Sequence, residues 1–171
     1  GIGRTAIRLS GMSLLDRHLG IERIGVSIDP VRPVRRAIIT HGHGDHARSG
    51  HGAVLATPDT IAIMKARYGE DCAGRFQALE YGTPLMIDDV EVTLFPAGHI
   101  LGSAQVRLRH GGETVVDTGD YKRLPDATAQ PFELVPCDTL VTEATFGLPV
   151  FQHPRPEAEV ARLLKSVADN P

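Results

Sequence analysis

Residues 36–46 read Arg-Ala-Ile-Ile-Thr-His-Gly-His-Gly-Asp-His. The first five, Arg36–Thr40, form a short apolar, β-rich run of the kind that makes a buried strand. The next six, His41-Gly42-His43-Gly44-Asp45-His46, set four metal-ligand side chains around two glycines. Imidazole and carboxylate together suit zinc, manganese or iron. On a straight strand His41 and Asp45 would share a face but stand about 13 Å apart. The ligands converge only if the chain turns, and glycine permits both a sharp bend and a close backbone approach. A lone His-x-His is commonly a polar loop, whereas the full string directly after a buried strand is far more specific.

Working outward, Thr5–Leu9 and Ile24–Ile28 read as strands, with Asp29-Pro30 and Arg32-Pro33 as turns. Ala53–Ala56 is a further strand. Thr57-Pro58 is an N-cap followed by proline at the first helical position, opening a helix to about Tyr68 that Gly69 ends. Leu85–Ile87 and Val90–Phe95 flank Asp88-Asp89 as one hairpin; Ala104–Arg109 and Glu113–Asp117 flank His110-Gly111-Gly112 as another. Leu140–Thr142 is a buried-type strand, and Glu157–Ala168 is an amphipathic helix with Val160, Leu163, Leu164 and Val167 on one face. Strands with interleaved helices make the class α/β (or α+β) with a mixed sheet. Two more strand ends carry ligand-type residues: His99, in Phe95-Pro96-Ala97-Gly98-His99, and Asp120, in Asp117-Thr118-Gly119-Asp120. His18, His51, His110 and His153 stand alone in polar surroundings and are expected on the surface, as are Arg32, Arg35 and Arg36.

The 171 residues are 42% hydrophobic and 23% charged, enough to bury a core without a disulfide or metal staple. No apolar run approaches the roughly 20 residues needed to span a bilayer, so no membrane partner is expected. Cys72 and Cys137 form no CxxC and are read as reduced thiols of a cytoplasmic protein. With 18 Lys+Arg against 21 Asp+Glu the formal net charge is −3. Any nucleic-acid role must therefore rest on a local site.

The ordered set of His-x-His-x-Asp-His, then His99, then Asp120 resembles the metallo-β-lactamase superfamily. The resemblance implies an αββα sandwich with mixed sheets and flanking helices, and a dinuclear metal centre at one edge of the two sheets. It assigns His41, His43 and His99 to a first metal, Asp45 and His46 to a second, Asp120 as the bridging carboxylate, and Asp29 as the acid that supports the histidine loop from behind. Ala97-Gly98-His99-Ile100-Leu101-Gly102-Ser103-Ala104 and Thr142-Glu143-Ala144-Thr145-Phe146-Gly147 are similar to motifs of the β-CASP nucleases, with Glu143 as an acid. Together with TGDYKR, TEATFGLPVF and HARSGHG they resemble the bacterial ligase-associated DNA exonucleases, over about Val26 to Pro171.

This resemblance implies a phosphodiester hydrolase in which two divalent cations, Zn²⁺ or Mn²⁺, activate a water for attack on the phosphorus. Asp45, Asp120 and Glu143 are the candidate catalytic acids, Glu143 acting from behind the ligands either to orient a further histidine or to help protonate the leaving oxygen, and Ser103, Lys122 and Arg123 are the candidate contacts to a substrate phosphate. DNA is expected ahead of RNA, with a link to DNA ligase and repair. The superfamily's further histidine ligand has no match after His153. Residues 1–171 are thus expected to be the first half of a metallo-β-lactamase-like domain, truncated or completed by a C-terminal half or a second copy. RNA processing, small-molecule hydrolysis of the thioesterase or lactonase type, and a catalytically silent metal-binding fragment are the alternatives.

Overall fold

The structure, a computed structural model, describes residues 5–8, 14–16, 18–145 and 154–170. Contacts divide the chain into two compact units, Gly3–Glu143 and Ala144–Pro171 with Gly1–Ile2. The larger unit holds two mixed sheets. The first runs β1 (Thr5–Arg8), β11 (Thr139–Thr142), β10 (Glu113–Asp117), β9 (Ala104–His110), β8 (Val90–Pro96), β7 (Leu85–Ile87). Here β10 and β11 are parallel and the other neighbours antiparallel. The second runs β2 (Gly20–Ile21), β3 (Val26–Ile28), β4 (Ala37–Ile38), β5 (Val54–Ala56), β6 (Phe76–Ala78), parallel from β3 onward.

Period-two alternation decides which face each residue serves. Ile28, Ile38 and Leu55 of the second sheet join Val90, Val92, Leu94, Val106, Leu108 and Val115 of the first in one buried cluster. The alternate residues Ala37, Ile39, Val54 and Ala56 form another with Ile61 and Met64 of α1 (Pro58–Tyr68). The larger unit is thus layered helix, sheet, sheet. Thr57 caps α1, its hydroxyl accepting from Thr60 N at 3.2 Å. In the other unit α2 (Pro156–Asp169) carries Val160, Leu163, Leu164 and Val167 at 56–64% exposure.

The structure corrects several readings. Ile24 lies in a 3₁₀ turn, Glu22–Ile24, rather than a strand, because Gly25 at φ 58° turns the chain before β3 starts. β4 is shorter than Arg36–Thr40: Ile39 N still donates to Leu55 O, but Thr40 N leaves the ladder for the Asp29 carboxylate. The short strands β2 and β6 lacked any sequence signal. His51 is 1% exposed, not on the surface, with its Nδ1 accepting from Val34 N at 3.3 Å. Arg36 is half-buried and donates to Ile24 O. His153 lies outside the described residues, as does Phe146–Phe151 of the acidic motif. Among the described residues no helix is long and apolar enough to cross a membrane.

Leu94, fully buried between the sheets, tests the shared core. Leu94→Ala is expected to cost about 2–5 kcal/mol in urea unfolding, whereas the 84%-exposed Leu134 should change stability by less than about 0.5 kcal/mol as Leu134→Ala.

Candidate metal centre

Strand direction brings the ligand-type residues together. β3 and β4 are parallel, so Asp29 and the segment 41–46 leave the second sheet at one edge. β8 and β10 both run antiparallel to β9, so His99 and Asp120 leave the first sheet at a common edge. The sheets are joined there by Ala104 N, which donates to Thr40 O at 2.8 Å.

His41, His43, His99 and Asp120 each offer an atom within 4.8 Å of the others. His41 Nε2 lies 3.1 Å from His43 Nδ1, and His99 Nε2 lies 3.2 Å from that same Nδ1. The three rings stand at centroid separations of 4.9–5.0 Å and interplanar angles of 80–86°. Asp120 Oδ2 is 3.8 Å from both His41 Nε2 and His99 Nε2. The other oxygen, Oδ1, is 3.4 Å from His46 Nε2, and Asp45 Oδ2 is 3.7 Å from that nitrogen. Asp120 therefore presents one oxygen to the His41–His99 group and one to the His46–Asp45 group.

Hydrogen bonds behind the rings settle which nitrogen carries the proton. Asp29 sits at φ 44°, a left-handed conformation. Its Oδ1 accepts from Thr40 N at 2.8 Å and its Oδ2 from Thr40 Oγ1 at 2.7 Å. Having given its proton to Asp29, the Thr40 hydroxyl is left to accept from His41 Nδ1, 3.0 Å away. His46 Nδ1 donates to Asp29 Oδ2 at 2.8 Å. Both imidazoles thus hold their protons at Nδ1 and aim Nε2 lone pairs at Asp120 and His43. Thr40 touches the third loop as well, since a Cβ on Gly119 (φ 55°) would lie 2.9 Å from Thr40 Cβ. Gly119 N donates to the buried Asp117 carboxylate at 2.8 Å, shaping the turn that delivers Asp120.

The donor set fits a divalent cation. Tetrahedral ligands at about 2.0–2.1 Å from zinc stand about 3.4 Å apart, close to the nitrogen separations here. Burial drives His41, which is fully enclosed, down to about 3, with His46 adding repulsion. Burial also lowers His99, against the attraction of Asp120. These rings are therefore neutral lone-pair donors at pH 7, the form a metal requires.

The remaining candidates sit as follows. Asp45 is exposed. Glu143 is half-buried, and its charge raises the affinity of His99 for a proton. Ser103, expected to face a substrate phosphate, is 2% exposed, and its hydroxyl oxygen accepts from His99 N and Ile100 N within its own turn. The Lys122 ammonium is held by Asp126 at 2.8 Å, while Arg123 is exposed. Sequence reading missed the residues that fix the His99 turn: Thr57 and Thr60 hydroxyls donate to Gly102 O, and Tyr81 Oη donates to Ser103 O. It also missed Thr40, whose adjacency to His41 was the one available signal.

No family model matches the chain. Over 144 residues it is 35% identical to a protein of Opitutus terrae named "Probable DNA ligase", a match covering 83% of this chain and 14% of that protein. Over 165 residues it is 33% identical to "Endoribonuclease ysh-1" of Neurospora crassa, covering 76% and 19%. The chain thus spans about a seventh to a fifth of these relatives' length. Among solved structures, the metallo-β-lactamase fold protein YhfI of Bacillus subtilis aligns at 18% identity and TM-score 0.44, over 56% of this chain and 49% of that one.

Thr40→Val keeps the shape of the side chain but leaves His41 Nδ1 without its acceptor. It is expected to weaken Zn²⁺ or Mn²⁺ binding about 10- to 100-fold by calorimetric titration, with Thr40→Ser restoring it; equal affinity for Thr40→Val would show that the hydroxyl does not orient the ring. The depressed His41 value also has a signed consequence. Between the ordinary value of about 6.5 and about 3, the unfolded chain binds a proton that the folded chain refuses. The stability of the metal-free protein therefore falls as pH drops through that window. Thermal melts from pH 7 to pH 4 should show this slope, and His41→Asn should flatten it.

Proposed function

We propose that this chain, which belongs to the metallo-β-lactamase superfamily as a relative of the ligase-associated and YSH1-type nucleases, carries the metal-binding part of a phosphodiester hydrolase acting on nucleic acid. The observation that carries this reading is the convergence of His41, His43, His99 and Asp120, with Asp120 turned to two groups at once. Divalent cations held there supply Lewis acidity, neutralising phosphate charge and bringing a water's pKa toward neutrality.

The chain's own residues do the rest. His41, His43 and His99 would hold one cation and His46 with Asp45 the other, Asp120 serving both. Asp29, through Thr40 and directly, keeps the Nε2 atoms of His41 and His46 free of protons. Glu143, near His99, would take up the proton that the attacking water loses and pass it to the departing oxygen. Arg123 is the exposed cation for a substrate phosphate, while Lys122 would first have to leave Asp126. A complementing C-terminal segment or a second copy would supply any further ligand beside His46. We place the protein in the cytoplasm.

DNA is the first substrate reading, as an exonuclease working alongside ligase and repair; it is supported by the similarity to the Opitutus terrae protein. RNA processing is the second, favoured by the similarity to an endoribonuclease. Labelled single- and double-stranded DNA and RNA, incubated with the chain and Mn²⁺ or Zn²⁺, decide between them. Phosphodiester cleavage that EDTA abolishes and that His99→Ala and Asp120→Asn reduce to background is expected. Hydrolysis of a thioester or lactone with no nucleic-acid cleavage, or tight metal binding with no turnover on any substrate, would overturn the reading.

A further inference from the structure

The nuclease reading leaves unassigned what grips the polynucleotide beside the reacting phosphate, and the two glycines of the ligand loop point to it. Neither Gly42 nor Gly44 has a positive φ, so they are not needed for a left-handed bend. Their missing side chains instead admit α1. A Cβ on Gly42 would lie 2.5 Å from Ile63 Cγ2, and one on Gly44 would lie 2.9 Å from Arg67 Nη2 and 3.3 Å from Tyr68 Oη. Arg67 Nη1 donates to Gly42 O at 2.7 Å, which fixes the guanidinium in place. Its carbon stands 5.4 Å from the centroid of the Tyr68 ring. The last turn of α1 thus brings a guanidinium and a tyrosine hydroxyl to the backbone between His43 and Asp45, with the Tyr68 ring beside the cation. Those two residues, Arg67 and Tyr68 are all exposed, Tyr68 by 38%.

A chain of net charge −3 attracts a polyanion only through local features. Single-strand sites combine a cation that follows the phosphates with an aromatic face on which a base stacks. Both are present here, one residue from two of the ligand-type side chains. We propose that Arg67 and Tyr68 form a nucleotide-binding shelf at the rim of the metal centre. Tyr68 stacks one unpaired base of a single-stranded polynucleotide, and Arg67 Nη2 receives the adjoining phosphate. Every base has a π-face, so the shelf selects for an unpaired strand and not for sequence. It rests on the nuclease reading, and it adds to that reading a substrate form and two residues that carry it.

The test pairs Tyr68→Ser and Tyr68→Phe with two oligonucleotides of equal length, one normal and one abasic, in the presence of Mn²⁺. With the normal strand, Tyr68→Ser is expected to raise Kd and KM about tenfold and Tyr68→Phe to leave them near wild type. With the abasic strand the gap between wild type and Tyr68→Ser should close, which a merely structural role for the ring would not produce. A Tyr68→Ser penalty that persists on the abasic strand, or no penalty on the normal one while the wild type still cleaves, overturns the shelf and leaves the nuclease reading standing. A wild type that neither binds nor cleaves any strand overturns both.

Discussion

The carboxylate of Asp29 accepts from Thr40 N, Thr40 Oγ1 and His46 Nδ1, all at 2.7–2.8 Å. These three bonds fix both ends of the ligand loop, at His41 and at His46. They bend the chain out of the β4 ladder at Thr40, and they set the proton on His46. Through the Thr40 hydroxyl they also set the proton on His41. A charged, three-fold hydrogen-bonded acceptor is strong and directional. That strength is consistent with Asp29 standing in a left-handed conformation that few side chains tolerate. Thr40 spreads the constraint further. Its carbonyl ties the second sheet to the start of β9, and its side chain abuts the Gly119 turn. Three loops from two sheets are thus positioned around one short side chain.

Much of this is legible in the sequence because its determinants are local. The spacing of His41, His43, Asp45 and His46 after an apolar run, the hairpin at Asp88-Asp89 and the Thr57-Pro58 start of α1 are all decided by neighbours in the chain. His99 and Asp120 are legible as ligand types at strand ends. Most of what escaped depends on contacts distant in sequence, Ser103 excepted. His51 looks like a surface histidine until Val34 N and the bridge to Ala73 enclose it. Ser103 looks free until its own turn closes on it. β2 and β6 are held by their neighbours' hydrogen bonds, with too few residues to show a period. The glycines of the ligand loop were legible as the residues that let the chain turn there; what escaped is that their absent side chains also admit Ile63, Arg67 and Tyr68.

The ligand-type residues come from both sheets: His41, His43 and His46 follow β4, whereas His99 and Asp120 follow β8 and β10. The apolar core between those sheets is built by different atoms of the same strands. A cation that bound only when both edges are in register would stabilise that register by RT ln(1 + c/Kd), where c is its free concentration. Sheet docking and metal occupancy are then two readings of one equilibrium. Starved of metal, the chain would spend more time with its sheets apart, open to proteolysis. Its abundance in a cell would then depend on metal supply as well as on synthesis.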